Sequence, residues 1–460
     1  MLDKEIQLKK YFLATLGRIP KRVGLLGLGK SNLALFEVLS GTREIGLTLR
    51  DSRETTALPT SSRELRIKLG RLYLDGIDED ILFLSPSVKR TFKELDEARV
   101  KGVLLSSDCE IFFEKKRPEP VFAVTGSDGK STVTELTARL LNSSGVSAAA
   151  IGNIGTPYIV RPDADVYVTE LSSFNLEYIA PLTDRAAITC ITPNHLNWHG
   201  SFDEYVLAKK RILERTDRRV LSVDDPITRD IARHTESFAV FSSRSSLREM
   251  SSAYKAESYY SLSDGYILRN DKRIIAVDSL LRKEEYNLKN VMTALALSDG
   301  YTTADGIGSA LTTFGGLQHR CELIYSKNGI SVYDSSIDTT PERSASTIRA
   351  LGKRVKLLLG GRGKGVSFEP LLDPILRYAE KISVYGEDKG EICELFSSHD
   401  LSSIPYRSFD LFEDAVRYLI EDLKHGDTVL LSPACTGYGE FSDFGERGDV
   451  FSRLINELII

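Results

Sequence analysis

Short apolar runs recur along the chain, and between them apolar residues return every three or four positions. The runs are typical of buried strands and the longer spacing is typical of amphipathic helices. The runs that we interpret as strands are residues 47–51, 81–86, 103–105, 121–124, 166–170, 187–192, 330–334, 355–359, 381–385 and 428–431. Strands that alternate with helices predict an α/β fold with mostly parallel sheets, whose ligands bind at the carboxyl ends of the strands.

Two breaks divide this pattern. Residues 114–120 are charged and proline-containing, which is typical of a linker, and Gly315-Gly316 marks a second break. A chain of 460 residues has room for two or three domains of about 100–200 residues each. We predict a Rossmann-like domain at 1–115, a central P-loop ATPase-like domain at 116–316 and a C-terminal Rossmann-like domain at 317–460.

Local patterns add further elements. An amphipathic helix is predicted before Pro20, and two more helices are predicted at residues 287–297 and near 305–314. Residues 242–252 are polar and rich in serine, which predicts a surface loop. The helix that begins near residue 130 carries its apolar residues on one face: Val133, Leu136, Leu140 and Leu141.

A buried strand, a glycine loop and the start of a helix follow one another directly after the predicted linker. Gly126 and Gly129 can adopt backbone angles that let amide N–H groups surround a phosphate, and the helix N-terminus adds partial positive charge. Lys130 can then reach the outer phosphates, and Ser131 or Thr132 can offer a hydroxyl to Mg²⁺. We interpret this segment as a nucleoside triphosphate site. An ordinary strand-to-helix turn is the alternative.

Residues 23–34 are also interpreted as a strand, a glycine turn and a helix, but this earlier turn has a different pattern. Gly24, Gly27 and Gly29 resemble a dinucleotide fingerprint, and Asp51 lies at the distance expected of a ribose-binding acid. Asn32, however, takes the place of the third glycine of that fingerprint. One interpretation is an NAD-dependent dehydrogenase. The other, which we prefer, is that the same fold holds a different nucleotide with a diphosphate.

Composition narrows the class of protein. The net charge of −5 shows none of the excess of basic residues that is typical of nucleic-acid-binding proteins. No apolar run approaches the about 20 residues that a membrane span requires. The charged start of the chain differs from a signal peptide. The five cysteines show no metal-binding or disulfide spacing. We therefore expect a cytoplasmic protein that binds neither nucleic acid nor membrane.

A series of short motifs follows a fixed order along the chain. In the first two thirds they are Gly126-Ser-Asp-Gly-Lys-Ser-Thr132, Gly152-Asn-Ile-Gly155, Glu170-Leu-Ser-Ser-Phe174, Asn194-His195 and Ala208-Lys209. Later they are Tyr286-Asn287-x-x-Asn290, His319-Arg320, Asp334-Ser335, Gly360-Gly361-x-Gly-Lys364 and Leu431-Ser-Pro-Ala-Cys435. Their joint order, over residues 23–458, resembles that of the Mur ligases.

The resemblance implies an activity. An ATP-dependent ligase of this kind would phosphorylate the carboxylate of UDP-N-acetylmuramoyl-L-alanine, and the amine of D-glutamate would then attack the acyl phosphate. The amide formed belongs to peptidoglycan precursor synthesis. The implied partners are these small molecules alone, and we expect a monomer.

The resemblance also implies an ATP and metal site. The implied catalytic residues are Lys130, Glu170, His195 and Lys209. The implied ATP-binding residues are Gly126, Ser127, Asp128, Gly129, Lys130, Ser131, Thr132, Asn287, Asn290, Arg320 and Asp334. Two Mg²⁺ ions would be held by Ser131, Glu170, His195 and a carbamylated Lys209. His199 is the alternative to His195 as a ligand, and a surface pair formed by Lys209 and Lys210 is the alternative to a metal-bridging lysine.

Two further sets of residues are implied for the substrates. The residues for the UDP-substrate are Gly29, Lys30, Ser31, Asp51, Ser52, Ser85, Asn153 and Ser173. The residues for the amino acid are Asp338, Lys364, Thr436 and Phe444, although Lys364 could instead be a turn residue. Here the chain departs from better-known members, which carry a lysine where Ser336 stands and Ala-Ser where Thr436-Gly437 stand.

Rival functions come from the same and from other classes. A sibling Mur ligase would add a different amino acid. A folate polyglutamylating enzyme would begin near the phosphate loop, and the approximately 115 residues that precede the loop here argue against it. A nicotinamide-dependent dehydrogenase would use Gly27 and Asp51 and ignore Lys130. A catalytically silent binding module would keep the folds without turnover.

Overall fold

The computed structural model describes residues 2–42, 44–54, 58–60, 64–363, 365–399, 401 and 403–459. These residues form two compact units, which divide between Thr312 and Thr313. The first unit contains two β-sheets and the second contains one sheet. The predicted α/β class is confirmed. The finer division of the first unit at residue 115 stays a prediction.

The first sheet consists of five strands that pair only in parallel. Its strands are β1 (Arg22–Leu26), β2 (Gly46–Asp51), β3 (Arg66–Leu69), β4 (Ile81–Leu84) and β5 (Leu104–Ser106), in the order β3-β2-β1-β4-β5. Its helices are α1 (Leu2–Leu16), α2 (Lys30–Ser40), α3 (Lys93–Val100) and α4 (Asp108–Phe113). The chain changes direction across the sheet between β1 and β4, so a ligand is expected at the carboxyl ends of these two strands.

The second sheet has nine strands. They are β6 (Val121–Thr125), β7 (Ala148–Gly152), β8 (Val166–Glu170), β9 (Thr183–Ile188), β10 (Thr216–Ser222), β11 (Ser237–Ser242), β12 (Ala256–Ser263), β13 (Tyr266–Arg269) and β14 (Lys272–Ala276). Their order is β14-β13-β12-β11-β10-β9-β6-β8-β7, and only the pairs β12–β13 and β13–β14 are antiparallel. The helices are α5 (Lys130–Ser143), α6 (Ser173–Leu176), α7 (Leu196–His199), α8 (Phe202–Lys210), α9 (Pro226–His234), α10 (Leu247–Ala253), α11 (Glu285–Leu297) and α12 (Ala304–Thr312).

Strand β6 carries the predicted phosphate loop and lies inside this sheet, between β9 and β8. All five of its residues are buried. The predicted apolar face of helix α5 is confirmed, because its four members are fully buried: Val133, Leu136, Leu140 and Leu141. A strand and a helix that are both fixed by core packing thus hold the loop from its two ends.

One predicted strand was misplaced. The apolar run at residues 187–192 was assigned to a strand, but β9 ends at Ile188. Ile188 pairs with Thr125, the last residue of β6, and both chains leave the sheet there. The residues after Ile188 instead bond to the glycine loop, and Ser127 donates its backbone N–H to the carbonyl oxygen of Cys190 at 2.8 Å.

The predicted surface loop at residues 242–252 was wrong. Ser242 is the fully buried last residue of β11, and α10 begins at Leu247. The hydroxyl of Ser246 accepts the backbone N–H of Glu249 at 3.3 Å, and the Glu249 carboxylate accepts the N–H of Ser246 at 2.7 Å. This reciprocal capping box starts a helix despite the serine-rich composition.

The second unit contains a six-stranded sheet. Its strands are β15 (Glu322–Lys327), β16 (Ile330–Asp334), β17 (Val355–Gly360), β18 (Ala379–Tyr385), β19 (Tyr406–Phe409) and β20 (Thr428–Leu431), in the order β15-β16-β20-β17-β18-β19. Only β15 pairs antiparallel. The helices are α13 (Pro341–Leu351), α14 (Leu372–Tyr378), α15 (Lys389–Ser398), α16 (Phe412–Ile420) and α17 (Phe444–Leu458). The direction changes between β17 and β20, which again predicts a ligand at their carboxyl ends.

Short 3₁₀ helices complete the described elements, at Gly70–Leu72, Tyr158–Val160, Arg211–Leu213, Val277–Ser279 and Glu369–Leu371. Within the described ranges, none of the helices is both long enough and apolar enough to cross a bilayer.

Candidate active site

The glycine loop between β6 and α5 requires glycine at both ends. Gly126 has φ +151° and Gly129 has φ +78°. A Cβ atom at Gly126 would lie 1.9 Å from the Thr189 hydroxyl oxygen, and a Cβ atom at Gly129 would lie 2.3 Å from the side-chain oxygen of Asn290. The loop therefore packs against both the β9 loop and helix α11 through positions that tolerate no side chain.

The middle of the loop, at Ser127 and Asp128, is held by hydrogen bonds to neighbouring residues of the protein. Ser127 is buried, and its hydroxyl lies 2.8 Å from the carbonyl oxygen of Thr192 and 2.9 Å from the hydroxyl of Tyr205. The backbone carbonyl of the exposed Asp128 accepts a hydrogen bond from Thr189. The Ser127 side chain thus shapes the cradle, which leaves backbone amides and Lys130 to meet a phosphate.

Lys130 begins helix α5 at the mouth of the loop. Its ammonium group donates to the Ser127 carbonyl oxygen at 2.9 Å, so the side chain folds over the loop. Its partly buried position leaves the cation close to any anion that the loop binds. Thr132, two residues further along α5, is also partly buried.

The carboxylate of Glu170 lies beside the start of the same helix. Glu170 ends β8, is buried, and accepts a hydrogen bond from the Ser131 hydroxyl at 2.7 Å. Asn153 donates its side-chain amide to the other carboxylate oxygen at 2.8 Å. A hydroxyl and a carboxylate so placed form a set of oxygen ligands of the kind that Mg²⁺ takes.

A buried lysine lies beneath the loop. Lys209, on α8, is 1% exposed, and its amine donates to the Gly126 carbonyl oxygen at 2.7 Å. Burial and then the charge of Lys130 lower the pKa of Lys209 to about 7. The neighbouring Lys210 is only partly buried. The amine of Lys209 therefore loses its proton more readily than that of an ordinary lysine.

The two candidate histidines differ in their surroundings. His195 is exposed, and its pKa is lowered by partial burial and by the charges of Lys209 and Lys130. His199 contacts the Ser173 hydroxyl through Nε2 at 3.0 Å, and its Nδ1 lies 3.7 Å from the Glu177 carboxylate. The pKa of His199 is lowered as well, by burial first, so the two imidazoles do not differ in this respect. They differ in that neighbouring side chains engage the His199 ring, whereas His195 is exposed.

The two predicted asparagines lie on helix α11, and both are buried. Asn290 packs against Gly129, so it lies at the phosphate loop. Asn287 donates its side-chain amide to the Arg282 carbonyl oxygen at 2.9 Å. One face of α11 is therefore joined to the glycine loop of the same unit.

The first glycine turn, between β1 and α2, is held by hydrogen bonds to the side chains of Asp51 and Asn32. The Asp51 carboxylate accepts the Leu28 N–H at 2.7 Å and is paired with Arg53 at 2.8 Å, which holds its pKa well below the usual range. The amide of Asn32 donates to the Leu26, Gly27 and Phe83 carbonyls, at 3.0, 2.9 and 3.1 Å respectively. Asn32 thus ties this turn to β4 in place of the missing glycine.

Several other predicted UDP-substrate residues surround the same turn, whereas Asn153 and Ser173 lie at Glu170 and His199. Lys30 donates to the Gly155 carbonyl oxygen at 2.6 Å, and Gly29 would place a Cβ atom 3.3 Å from the Ser85 hydroxyl. Ser52 is exposed beyond the end of β2, and Ser85 is buried at the end of β4. The first and second sheets therefore meet at this turn within one unit.

Sequence reasoning missed two residues near this turn. Asp108 is buried, one of its carboxylate oxygens has no hydrogen-bond partner, and burial raises its pKa to about 6 although Ser31 bonds to it. Arg90 pairs with Glu110, and its backbone N–H donates to the Tyr178 hydroxyl at 3.1 Å. No local pattern marks either residue, because their partners are distant in sequence.

In the second unit, Asp334 is fully buried at the end of β16 and lies 2.7 Å from His319 Nδ1. Burial alone would lower the pKa of His319, but the hydrogen bond to Asp334 together with the charges of Asp334, Asp449 and Glu322 outweighs it, and the pKa is raised. Arg320 is exposed before β15, and Phe444 begins α17. Lys364, which was predicted for the amino acid, lies outside the described residues.

Two predicted amino-acid residues are engaged by the protein. Asp338 is buried, and its carboxylate accepts a hydrogen bond from the Ser432 hydroxyl at 2.8 Å. Thr436 donates its hydroxyl to the Arg362 carbonyl oxygen at 2.8 Å. Both lie in loops that follow the carboxyl ends of strands, β16 and β20.

Comparison with known proteins agrees with this arrangement. Residues 124–298 match the Mur ligase middle domain, and residues 319–435 match the glutamate ligase domain of Mur ligases. A UDP-N-acetylmuramoylalanine–D-glutamate ligase of Ruminiclostridium cellulolyticum is 32% identical, over 95% of this chain and 97% of that protein. The chain belongs to the Mur ligase family. A second such Mur ligase, from Acetivibrio thermocellus, is 31% identical with the same coverage.

Solved Mur ligase structures share the fold. A UDP-N-acetylmuramate–alanine ligase of Thermotoga maritima superposes with a TM-score of 0.55 at 17% identity, over 95% of this chain and 100% of that one. A UDP-N-acetylmuramoyl-L-alanyl-D-glutamate–2,6-diaminopimelate ligase gives a TM-score of 0.51 at 15% identity, over 95% and 92% of the two chains.

Proposed function

We propose that this Mur ligase joins D-glutamate to UDP-N-acetylmuramoyl-L-alanine at the expense of ATP. The observation that carries the proposal is made at the glycine loop, where the end of the neighbouring strand β8 brings the Glu170 carboxylate to the Ser131 hydroxyl. The chain also aligns over 95% of its length with a D-glutamate ligase. The terminal phosphoryl group of ATP passes to the alanyl carboxylate and ADP leaves. The D-glutamate amine, once it has lost its proton, then attacks the acyl carbon, and inorganic phosphate leaves.

The loop residues bind and orient the triphosphate. The backbone amides and the N-terminus of α5 attract its anionic oxygens, and Lys130 adds a full positive charge. Because a carboxylate and a triphosphate repel each other, such cations lower the energy of their approach. Asn290, which abuts Gly129, and Asn287 support our assignment of the adenine to the α11 side.

The donor set fits Mg²⁺. Ser131 and Glu170 would hold one ion, and Asn153 would keep the carboxylate in its orientation. His195 and a carbamylated Lys209 would hold a second ion. Bound Mg²⁺ supplies charge neutralisation at the phosphate oxygens. A near-neutral pKa at Lys209 supports carbamylation, because the free amine is the form that adds CO₂ and becomes an anionic oxygen ligand.

The first glycine turn is our candidate for the uridine diphosphate. Its position at the change of direction between β1 and β4 supports the assignment, as does Lys30, which reaches toward the second sheet. The engaged carboxylate of Asp51 gives no support to the dehydrogenase alternative, since a ribose-binding acid needs a free acceptor oxygen.

Phosphate release with an amino-acid panel tests the proposal. The purified protein receives ATP, Mg²⁺, UDP-N-acetylmuramoyl-L-alanine and one of D-glutamate, L-alanine, L-lysine or diaminopimelate. We expect turnover with D-glutamate and background release without it. Equal turnover with any of the other three would assign a sibling activity. No turnover with any amino acid would overturn the ligase proposal.

A further inference from the structure

Asp108, the first residue of helix α4, is an acid that the fold buries. It is 3% exposed, and its Oδ2 atom has no hydrogen-bond partner among the residues that the structure describes. Ser31 and the backbone N–H groups of Cys109 and Tyr158 bond to the carboxyl group, but burial outweighs these bonds and raises the pKa to about 6. An acid at the start of a helix is ordinarily stabilised in its charged form. Here burial opposes that form.

The other buried acid beside the first glycine turn has a different environment. Asp51 pairs with Arg53 at 2.8 Å and accepts the Leu28 N–H at 2.7 Å. These bonds, led by the one from Arg53, hold the pKa of Asp51 well below its usual range. Asp51 therefore stays ionised, whereas the burial of Asp108 is opposed only by hydrogen bonds from uncharged groups.

Two titratable side chains lie next to Asp108 and stay neutral. They are the thiol of Cys109, on the same helix, and the phenol of Tyr158, in the 3₁₀ helix packed against it. Both are buried, and burial raises the pKa of each well above its usual value. Neither group therefore offers a charge that could balance an ionised Asp108.

The charged side chains of the adjoining helices are engaged elsewhere. On α4, Glu110 forms an ion pair with Arg90. On α2, Lys30 donates to the Gly155 carbonyl oxygen at 2.6 Å. A buried charge whose neighbours are neutral or already paired is costly, so a small change nearby can decide whether Asp108 holds a proton.

Asp108 contacts the proposed uridine diphosphate site through Ser31. Ser31 lies in the first turn of α2, and this helix packs against both α4 and the 3₁₀ helix at Tyr158–Val160. A hydroxyl has one hydrogen to donate, so Ser31 has none left for a phosphate oxygen while it donates to an ionised Asp108. A protonated Asp108 would instead donate to Ser31 and leave the hydroxyl hydrogen for the ligand.

We propose that Asp108 is a positioning residue for the UDP-substrate: it takes up a proton when the diphosphate binds, and the Ser31 hydroxyl then donates to a phosphate oxygen. The proton comes from solvent and adds to the carboxylate, and no other covalent bond forms or breaks. Without it, the diphosphate would lie near a buried negative charge, and such repulsion is strong where water is excluded. This inference rests on the proposed ligase function and deepens it.

Calorimetric titration with UDP-N-acetylmuramoyl-L-alanine, without ATP or D-glutamate, tests the inference. The diphosphate and the carboxylate of this ligand stay ionised between pH 6.5 and pH 8, so the ligand itself does not titrate. We expect its Kd to rise by up to about 20-fold over this range, which is the fall in the protonated fraction of a group with a pKa of about 6. At pH 7, heats measured in two buffers of different ionisation enthalpy should show uptake of most of one proton.

Two variants assign the proton to Asp108. Asparagine resembles a protonated aspartic acid in shape and stays uncharged, so the Kd of Asp108→Asn should change less than about twofold between pH 6.5 and pH 8. At pH 8 this variant should bind the UDP-substrate more tightly than the unaltered protein, whereas a merely structural role predicts weaker binding. Glu110→Gln removes another acid of α4 and should keep the pH dependence of the unaltered protein.

The outcomes are distinct. The inference is overturned if the Kd of the unaltered protein changes less than about twofold, if Asp108→Asn keeps its pH dependence, or if Glu110→Gln loses it equally. If Asp108→Asn does not fold, Ser31→Ala removes the hydroxyl through which the acid acts. Proton uptake should then fall by more than half, and unchanged uptake overturns the inference. Absence of UDP-substrate binding at every pH would instead overturn the proposed ligase function, and this inference with it.

Discussion

The tripeptide Gly-Lys-Ser occurs twice in the first unit, at residues 29–31 and again at residues 129–131, each time at the start of a helix after an interior strand. The two turns nevertheless differ in conformation. Gly29 has φ −89°, an angle open to any residue, whereas Gly129 has φ +78°. The tripeptide alone therefore does not decide what a turn can bind.

The two turns also differ in the contacts of the acid beside each of them, Asp51 at the first and Glu170 at the second. At the first turn, Asp51 accepts a backbone N–H of the turn itself, from Leu28. At the second, Glu170 bonds to the Ser131 hydroxyl instead. Asp51 occupies one amide of the first turn, whereas Glu170 and the Ser131 hydroxyl together offer oxygen ligands of the kind that Mg²⁺ takes beside the second. The groups at the strand ends, and not the tripeptide, therefore distinguish the two turns.

The largest contrast is expected between substitutions of the two lysines, Lys130 and Lys30, in their effects on kcat and KM. Lys130→Ala should lower kcat about 10³-fold, as for loss of a transition-state charge contact, because the Lys130 ammonium folds over the loop that we propose for the phosphates. Lys30→Ala should mainly raise the KM for the UDP-substrate. Steady-state phosphate release with each substrate varied in turn measures both, and similar effects of the two variants on kcat would remove the distinction.

The second largest contrast is expected between the two acids, Glu170 and Asp51, in the Mg²⁺ requirement of activity. Glu170→Gln is expected to raise the Mg²⁺ concentration needed for half-maximal activity by about 100-fold, since it removes an anionic ligand candidate. Asp51→Asn should leave this Mg²⁺ requirement unchanged and disturb only the first turn. Mg²⁺ titrations of activity check the pair, and an equal Mg²⁺ shift in both variants would contradict the assignment.

The smallest effect is a pH dependence found only at the second turn. Lys209 is protonated below its pKa of about 7, and the protonated amine cannot carry a carbamate. Activity should fall about fivefold from pH 7 to pH 6, the fall in the fraction of neutral amine. Bicarbonate labelled with ¹³C should give a carbamate NMR signal that weakens over the same range.

A variant of this lysine completes the pH test. Lys209→Ala should lose activity, which short carboxylic acids such as acetate partly restore. Wild-type rates in Lys209→Ala without any rescue would show that the lysine does not bridge a metal.

Local signals were sufficient for much of the fold. Apolar runs next to glycine correctly predicted β1, β6 and the loop before α5, because buried strands and positive-φ turns depend on nearby residues. The antiparallel strands β12–β14 were missed, although Asp264-Gly265 marks their first turn with φ +50° and +75°.

Other features needed three-dimensional packing. Asp108 looks ordinary in sequence, since its environment is built from segments that are distant along the chain. Lys209 was singled out by its motif, but its burial and its contact with Gly126 follow only from the packing of α8 against the loop.

The interior position of β6 has a consequence for dynamics. Its backbone is paired on both sides, with β9 and β8, and every one of its side chains is buried. Opening such a strand disrupts much of the nine-stranded sheet, so its amides should exchange with solvent only through large-scale unfolding. The loop that we propose for the triphosphate should therefore be anchored in one of the slowest-exchanging parts of the chain.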